Sequence, residues 1–204
     1  MVAGAVWLVF FSTVLAVESV RVAGVRTIAE QRIAKVADVP RGVPLARVDL
    51  GDVRERVQEI PVVESAEVSL AWPHAIAVTV TERTAVAAVE SGSGRVLIDA
   101  EGVTFRRKGG VDARLPVVRA DGRRAAEEAA AAIAALPGDL AGRVREVEAT
   151  TMDSITLYLR DGRTVVWGSA ADSMVKAEVL GALLGREGTV YDVSVPGAPT
   201  VSVN

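Results

Sequence analysis

Residues 1–17, MVAGAVWLVFFSTVLAV, carry no charged side chain. No other stretch constrains the chain so strongly, because a helical run apolar on every face needs a bilayer or a protein core around it. At about 1.5 Å per residue the run reaches roughly 25 Å, short of a hydrocarbon layer of ~30 Å. Ser19 and Val20 can extend it if Glu18 reaches back to the headgroups. Trp7, Phe10 and Phe11 suit lipid, and no Lys or Arg precedes the run to orient it. Three readings stand. The first is an N-terminal transmembrane helix whose cytoplasmic tail is missing from this sequence. The second is a cleaved signal peptide, since Val14-Leu15-Ala16 resembles a small-residue cleavage site. The third is a buried core helix. The first two both place the remainder outside the cytoplasm.

Composition narrows the function classes. Among 204 residues, 23 Lys+Arg face 26 Asp+Glu, a net charge of −3. A chain so near balance has no electrostatic footprint for nucleic acid. With no Cys and one His, disulfides, thiolate nucleophiles and most metal sites fall away, and a Ser-His-Asp triad has only His74 to draw on. An apolar fraction of 50% excludes disorder, and 37 Val lean the chain towards strands.

Beyond Glu18 the pattern resolves into elements. Residues 19–23 read as a strand. Thr27-Ile28-Ala29-Glu30 fits a capping box for a helix reaching about Ala37. Val39-Pro40-Arg41-Gly42 and Pro44 break it. Asp49 caps a second helix with Leu50, Val53, Val57 and Ile60 on one face, ended by Pro61. Ala66, Val68 and Leu70 then alternate with polar residues, Trp72-Pro73-His74 turns, and Ile76, Val78 and Val80 alternate again. The order is β-α-α-β-β.

From Ala85 strands dominate. Val86 to Glu90 and Val96 to Ile98 flank Ser91-Gly92-Ser93-Gly94, and Asp99-Ala100-Glu101-Gly102 turns into Val103-Thr104-Phe105. Arg106-Arg107-Lys108-Gly109-Gly110 is a polar loop, and Leu115-Pro116-Val117-Val118 is extended. Residues 123–136 form an Ala-rich helix stopped by Pro137-Gly138. Strands follow at 144–149, 155–159 and 164–167, the last two joined by Asp161-Gly162. Asp172 can cap a helix carrying Met174, Val175, Val179, Ala182 and Leu183. Tyr191, Val193 and Val195 close the chain as an alternating strand before Pro196-Gly197-Ala198-Pro199 and Val201.

Few residues suggest chemistry. His74 reads as an exposed turn residue, and Asp99 as a turn residue bonding its own backbone. Ser91-Gly92-Ser93-Gly94 lacks a phosphate-loop pattern. Arg106-Arg107-Lys108 could touch anionic lipid but reads as a solvated loop, and Thr81-Glu82-Arg83 as an ion-paired strand end. No nucleophile, base and orienter can be assembled, so no catalytic, cofactor-binding or metal-binding residue is expected.

The order of these motifs resembles the FtsQ/DivIB family of bacterial cell-division proteins. The matching pieces are the apolar run with Val20-Arg21-Val22-Ala23-Gly24, then Ile60-Pro61-Val62-Val63-Glu64-Ser65-Ala66-Glu67-Val68. Trp72-Pro73 and Ile76-Ala77-Val78-Thr79-Val80-Thr81-Glu82-Arg83 follow. Later come Val96-Leu97-Ile98-Asp99-Ala100-Glu101-Gly102-Val103, Leu115-Pro116-Val117-Val118, Asp161-Gly162 leading to Gly168, and Tyr191-Asp192-Val193-Ser194-Val195-Pro196. The Arg- and Ala-heavy composition fits an actinobacterial member.

The resemblance implies an α+β protein: an N-terminal transmembrane helix (1–17), a POTRA domain (18–85) of β-α-α-β-β order, and a mixed β-rich β domain with flanking helices (86–204). It implies a single-pass protein of the plasma membrane at the division septum, with its C-terminal domain extracytoplasmic. It implies a divisome scaffold rather than an enzyme, with no cofactor, no nucleic acid and no small-molecule substrate. Its partners would be FtsB- and FtsL-like proteins and other divisome membrane proteins, and it would link early and late cell-division proteins. In the family the final strand offers its edge to a partner strand, which places partner binding here at Val190, Tyr191, Val193, Ser194, Val195, Gly197 and Ala198, beside the 172–184 helix. Pro196 and Pro199 remove backbone donors, so strand addition would be shortened or shifted. A terminal strand that merely faces the core is the competing reading of the same residues. The alternative function is a POTRA-bearing accessory of protein export or outer-membrane assembly.

Overall fold

The computed structural model describes residues 13–91 and 94–203. Most of the expected anchor, 1–17, lies outside them, and no helix of the described residues is long and apolar enough to cross a membrane. The last residues of the run belong to folded structure. Thr13–Leu15 make one 3₁₀ turn. Val17 is buried, its amide donating to the Val43 carbonyl and its carbonyl accepting from Gly42, both at 2.9 Å, while Ala16 pairs with Pro44. The chain divides into two compact units, one of the residues up to Arg83 with Arg107–Gly109, the other of Thr84–Arg106 and the residues from Gly110 on.

The first unit has the expected order. Strand β1 (Ser19–Ala23) leads to helices α1 (Glu30–Ala37) and α2 (Leu50–Gln58), then to β2 (Val63–Ala71) and β3 (Ala75–Glu82). The sheet runs β1-β3-β2, with β1 parallel to β3 and β2 antiparallel to it. Ile33 and Ala37 from α1, Val53 and Val57 from α2, and Ile76, Val78 and Val80 from β3 are buried together with Leu45. Asp49 caps α2 as expected, accepting the amides of Gly51 and Asp52 at 2.9 and 3.1 Å.

The capping box at α1 does not form. The helix begins at Glu30 with Ala29 at the cap position and no side-chain cap. Thr27 is turned instead to Glu82, which accepts its hydroxyl at 2.6 Å. The same carboxylate accepts the amides of Arg26, Thr27 and Ile28 at 2.6, 2.8 and 3.2 Å. Glu82 is therefore not an ion-paired strand end. It is 4% exposed and satisfies a run of amides that would otherwise be left without acceptors. Burial pushes its pKa up, but the Thr27 hydroxyl and the three amides outweigh burial and hold the carboxyl at about 2.

The second unit is a nine-stranded sheet. Its strands are β4 (Ala87–Ser91), β5 (Gly94–Ile98), β6 (Thr104–Phe105), β7 (Val117–Ala120), β8 (Val144–Ala149), β9 (Ile155–Leu159), β10 (Thr164–Gly168), β11 (Val190–Asp192) and β12 (Thr200–Ser202). They lie in the order β12-β11-β10-β9-β8-β7-β4-β5-β6. Ser91 pairs with Gly94 across the β4–β5 hairpin, and the expected loop at 92–93 lies outside the described residues. Helices α3 (Arg123–Ala134) and α4 (Gly138–Ala141) cross from β7 to the parallel β8. Helix α5 (Ser173–Leu183) crosses from β10 to the parallel β11. The Ala-rich α3 buries Ala125, Ala126, Ala129, Ala130, Ala132 and Ile133 on the sheet, where small side chains permit close approach.

Helix α5 differs from its expected form in two ways. Asp172 makes no side-chain cap and sits in the left-handed region at φ 55°. The helix also turns a different face inward. Met174 is 79% exposed and Val175 49%, while Ser173, Lys176, Ala177, Leu180 and Leu183 are buried. Backbone carbonyls of the 169–170 loop cause this. The Ser173 hydroxyl donates to the Ala170 carbonyl at 2.7 Å and receives the Trp167 indole N–H at 3.1 Å. The Lys176 ammonium donates to the Ser169 carbonyl at 2.8 Å. Burial lowers the Lys176 pKa, opposed by Asp172.

Candidate partner-binding edge

The end of the large sheet is built around Tyr191. Its side chain is fully buried, and its hydroxyl lies 2.8 Å from the Arg186 carbonyl and 3.1 Å from that of Gly188. Arg163, on the hairpin before β10, covers the ring with its guanidinium carbon 5.7 Å from the ring centroid. The same guanidinium donates to the Leu184 carbonyl at 2.9 Å and to the Tyr191 hydroxyl at 3.4 Å. Its Nε and Nη2 both donate to one oxygen of Asp161, Oδ2, at 2.9 and 2.7 Å. Each ion shifts the other: Asp161 raises the Arg163 pKa, and Arg163 lowers that of Asp161. The α5–β11 connection is thereby fastened to the β9–β10 hairpin.

Strand β11 is paired on both sides. Val165 stands opposite Tyr191 on β10, and Val201 opposite it on β12. The chain reverses between them. Ala198 donates to the Val195 carbonyl at 3.0 Å, closing a turn with Pro196 in its second position, a place suited to the fixed φ of proline. Asp192 accepts the Ser194 amide at 2.9 Å and its hydroxyl at 2.6 Å, starting the reversal. A Cβ at Gly188 would collide with the Val201 side chain, so glycine lets β12 settle against the strand. The prolines therefore lie outside both strands. They bracket a turn, and the strand beyond it, Thr200–Ser202, ends the sheet with no further strand among the described residues.

The seven expected residues divide accordingly. Tyr191 and Val193 are fully buried in the core, and the Val193 amide bonds the Val166 carbonyl at 3.0 Å. Val190 and Ser194 are half-buried, while Val195, 62% exposed, lies on the β11–β12 turn with the exposed Gly197 and Ala198. The Ser202 carbonyl accepts the Thr189 amide, so it faces inward. Backbone alternation then turns the amides of Val201 and Val203 to the outer side. Arg163, Asp161 and Gly188 are site residues that spacing did not single out. The only local signal was the Asp-Gly hairpin next to Arg163.

The other residues weighed for chemistry have local roles. Asp99 is buried and accepts the Val103 amide at 2.7 Å, as its turn position implies, and Glu101 is exposed. His74 stands 3.9 Å from the Glu18 carboxylate.

Two family models match this arrangement: "POTRA domain, FtsQ-type" over residues 15–83, and "Cell division protein FtsQ/DivIB, C-terminal" over residues 87–194. The two-unit architecture is thus a POTRA domain followed by the C-terminal domain of a cell-division protein. The cell division protein FtsQ of Streptomyces venezuelae is 36% identical over 216 residues, covering 99% of this chain and 80% of that protein. Those of Mycobacteroides abscessus and Mycolicibacterium smegmatis are 36% and 37% identical, each over 95% of this chain. The chain spans 64% and 59% of their lengths, less than two thirds of either. A solved structure of the major extracytoplasmic domain of DivIB (trans isomer) from Geobacillus stearothermophilus has 18% identity, covers 50% of this chain and 89% of that one, and gives a TM-score of 0.40. The chain belongs to the FtsQ/DivIB family of cell-division proteins.

Proposed function

We propose that this chain is a divisome scaffold that captures FtsB- and FtsL-like partners by adding their strand to the outer edge of β12. The reading rests above all on one observation: β12 ends the sheet with outward backbone groups, on a strand held from behind by Tyr191 and Gly188. An edge of this kind supplies affinity through main-chain hydrogen bonds and specificity through alternate side chains. Tyr191 and Val193 serve from inside the core. Val190, Ser194, Val195, Gly197 and Ala198 border the receiving strand, and Pro196 and Pro199 shape the turn that presents it. The apolar run ahead of Thr13 serves as the anchor in the plasma membrane, since Ala16 and Val17 already belong to the folded unit, with both units outside the cytoplasm at the septum, linking early and late division proteins. No step of this work is chemical.

The test is a pull-down of the full chain with an FtsB-like peptide. Val203→Pro removes an outward amide at a site where an edge strand tolerates proline. Capture should be lost while the fold, read by circular dichroism, persists. Undiminished capture by the folded variant would refute strand addition at β12.

A further inference from the structure

Trp72 is a large apolar side chain that the partner edge does not use, and it is 49% exposed at the β2–β3 hairpin tip. Its place in the fold is specific. Because β1 and β3 are parallel with Ser19 opposite Ala75, the hairpin tip lies at the end of the sheet where the chain leaves the uncharged run. The contact is direct: the amides of Glu18 and Ser19 both bond the His74 carbonyl, at 2.8 and 3.3 Å. On the other flank of the same exit stands the exposed 41–42 turn, tied by Gly42 and Val43 to Val17, with Arg41 in solvent.

A membrane segment ahead of the Thr13–Leu15 turn would bring this end of the sheet, with both loops, to the headgroup layer, the depth at which tryptophan is enriched in membrane proteins and arginine meets phosphate. We infer that the Trp72 hairpin tip, with Arg41 beside the same exit, is a lipid-contacting surface that seats the POTRA domain on the phospholipid headgroup region. The inference rests on the reading of 1–17 as a membrane anchor. Glu18, 72% exposed on its side chain, marks where the chain has returned to water.

The chain contains no cysteine, so single cysteines take one fluorophore each. Ala71→Cys places an environment-sensitive dye beside Trp72, and Glu64→Cys places it roughly 23 Å along the same strand, at about 3.3 Å per residue. The full-length chain is reconstituted in phosphatidylcholine–phosphatidylglycerol vesicles with and without nitroxide-headgroup lipid, and flotation is read in the same sample. Quenching is expected at position 71 and not at 64, and adding Trp72→Ala should remove it from position 71. A chain that floats with position 71 unquenched, or quenched equally in Trp72→Ala, overturns the inference and leaves the anchor standing. A chain that does not float overturns both.

Discussion

The Thr27 hydroxyl and the Glu82 carboxylate meet at 2.6 Å across 55 residues of sequence, and the same carboxylate takes the backbone amides of residues 26–28. This contact closes the loop between β1 and α1 onto the end of β3. It fixes the residues ahead of α1 through a distant strand, while the helix itself has no side-chain cap.

The ionised form of Glu82 is the one bound, so its pKa is lowered in the fold to about 2 from an ordinary value near 4.5. The stabilisation is full above the unfolded value and is lost as pH falls from about 4.5 through about 2. By linkage it amounts to about 3 kcal/mol at neutral pH. Urea denaturation of the first unit's signal at pH 7 and pH 3 should show more than half of this loss in the wild type, about 2 kcal/mol. Glu82→Gln should be less stable at pH 7 and nearly flat between the two.

Gly188 lies under β12, where an added Cβ would strike Val201. Gly188→Val should free β12 while the remaining sheet stays folded. Hydrogen exchange should then lose protection at the amides of Thr200 and Ser202 and keep it in β9 and β10. Retained protection at β12 would show that the glycine is not needed there.

The Tyr191 hydroxyl is buried among the Arg186 and Gly188 carbonyls. Tyr191→Phe leaves those acceptors without their donor and should cost about 1–2 kcal/mol in chemical denaturation. Arg163→Lys should lower the denaturation midpoint, because an ammonium lacks the planar fork that donates at once to Asp161 and to the Leu184 carbonyl.

Lys176 is a buried cation with a carbonyl partner, Ser169, and a lowered pKa. Lys176→Met keeps the volume but leaves the Ser169 carbonyl without its donor, which costs about 1–3 kcal/mol. Lys176→Met should therefore melt several degrees lower by scanning calorimetry. An unchanged or higher melting temperature would show that the ammonium does not set the face that α5 buries.

Much of the architecture was legible in the sequence. Alternation at Ile76, Val78 and Val80 and the helical spacing of Val53 and Val57 gave the first unit its order, because burial on one face imposes those periods. The capping box was misread because Thr27 and Glu30 satisfy a local pattern, and nothing local reveals Glu82. The face that α5 buries was not legible because alanine and valine surround that helix, leaving its rotation to Ser173, Lys176 and the carbonyls they meet. Strand β12 went unseen because Thr-Val-Ser after two prolines offers no alternation long enough to read. So Val190 and Tyr191 looked like the last strand when they are the one before it.

Residue-resolved amide exchange of the full chain, with and without an FtsB-like peptide, tests the proposed edge most directly. Strand addition predicts that the outward amides of Val201 and Val203 become strongly protected on binding, with no change at Tyr191, whose strand is already paired on both sides. Bound peptide with Val201 and Val203 exchanging as in the free chain would contradict the account.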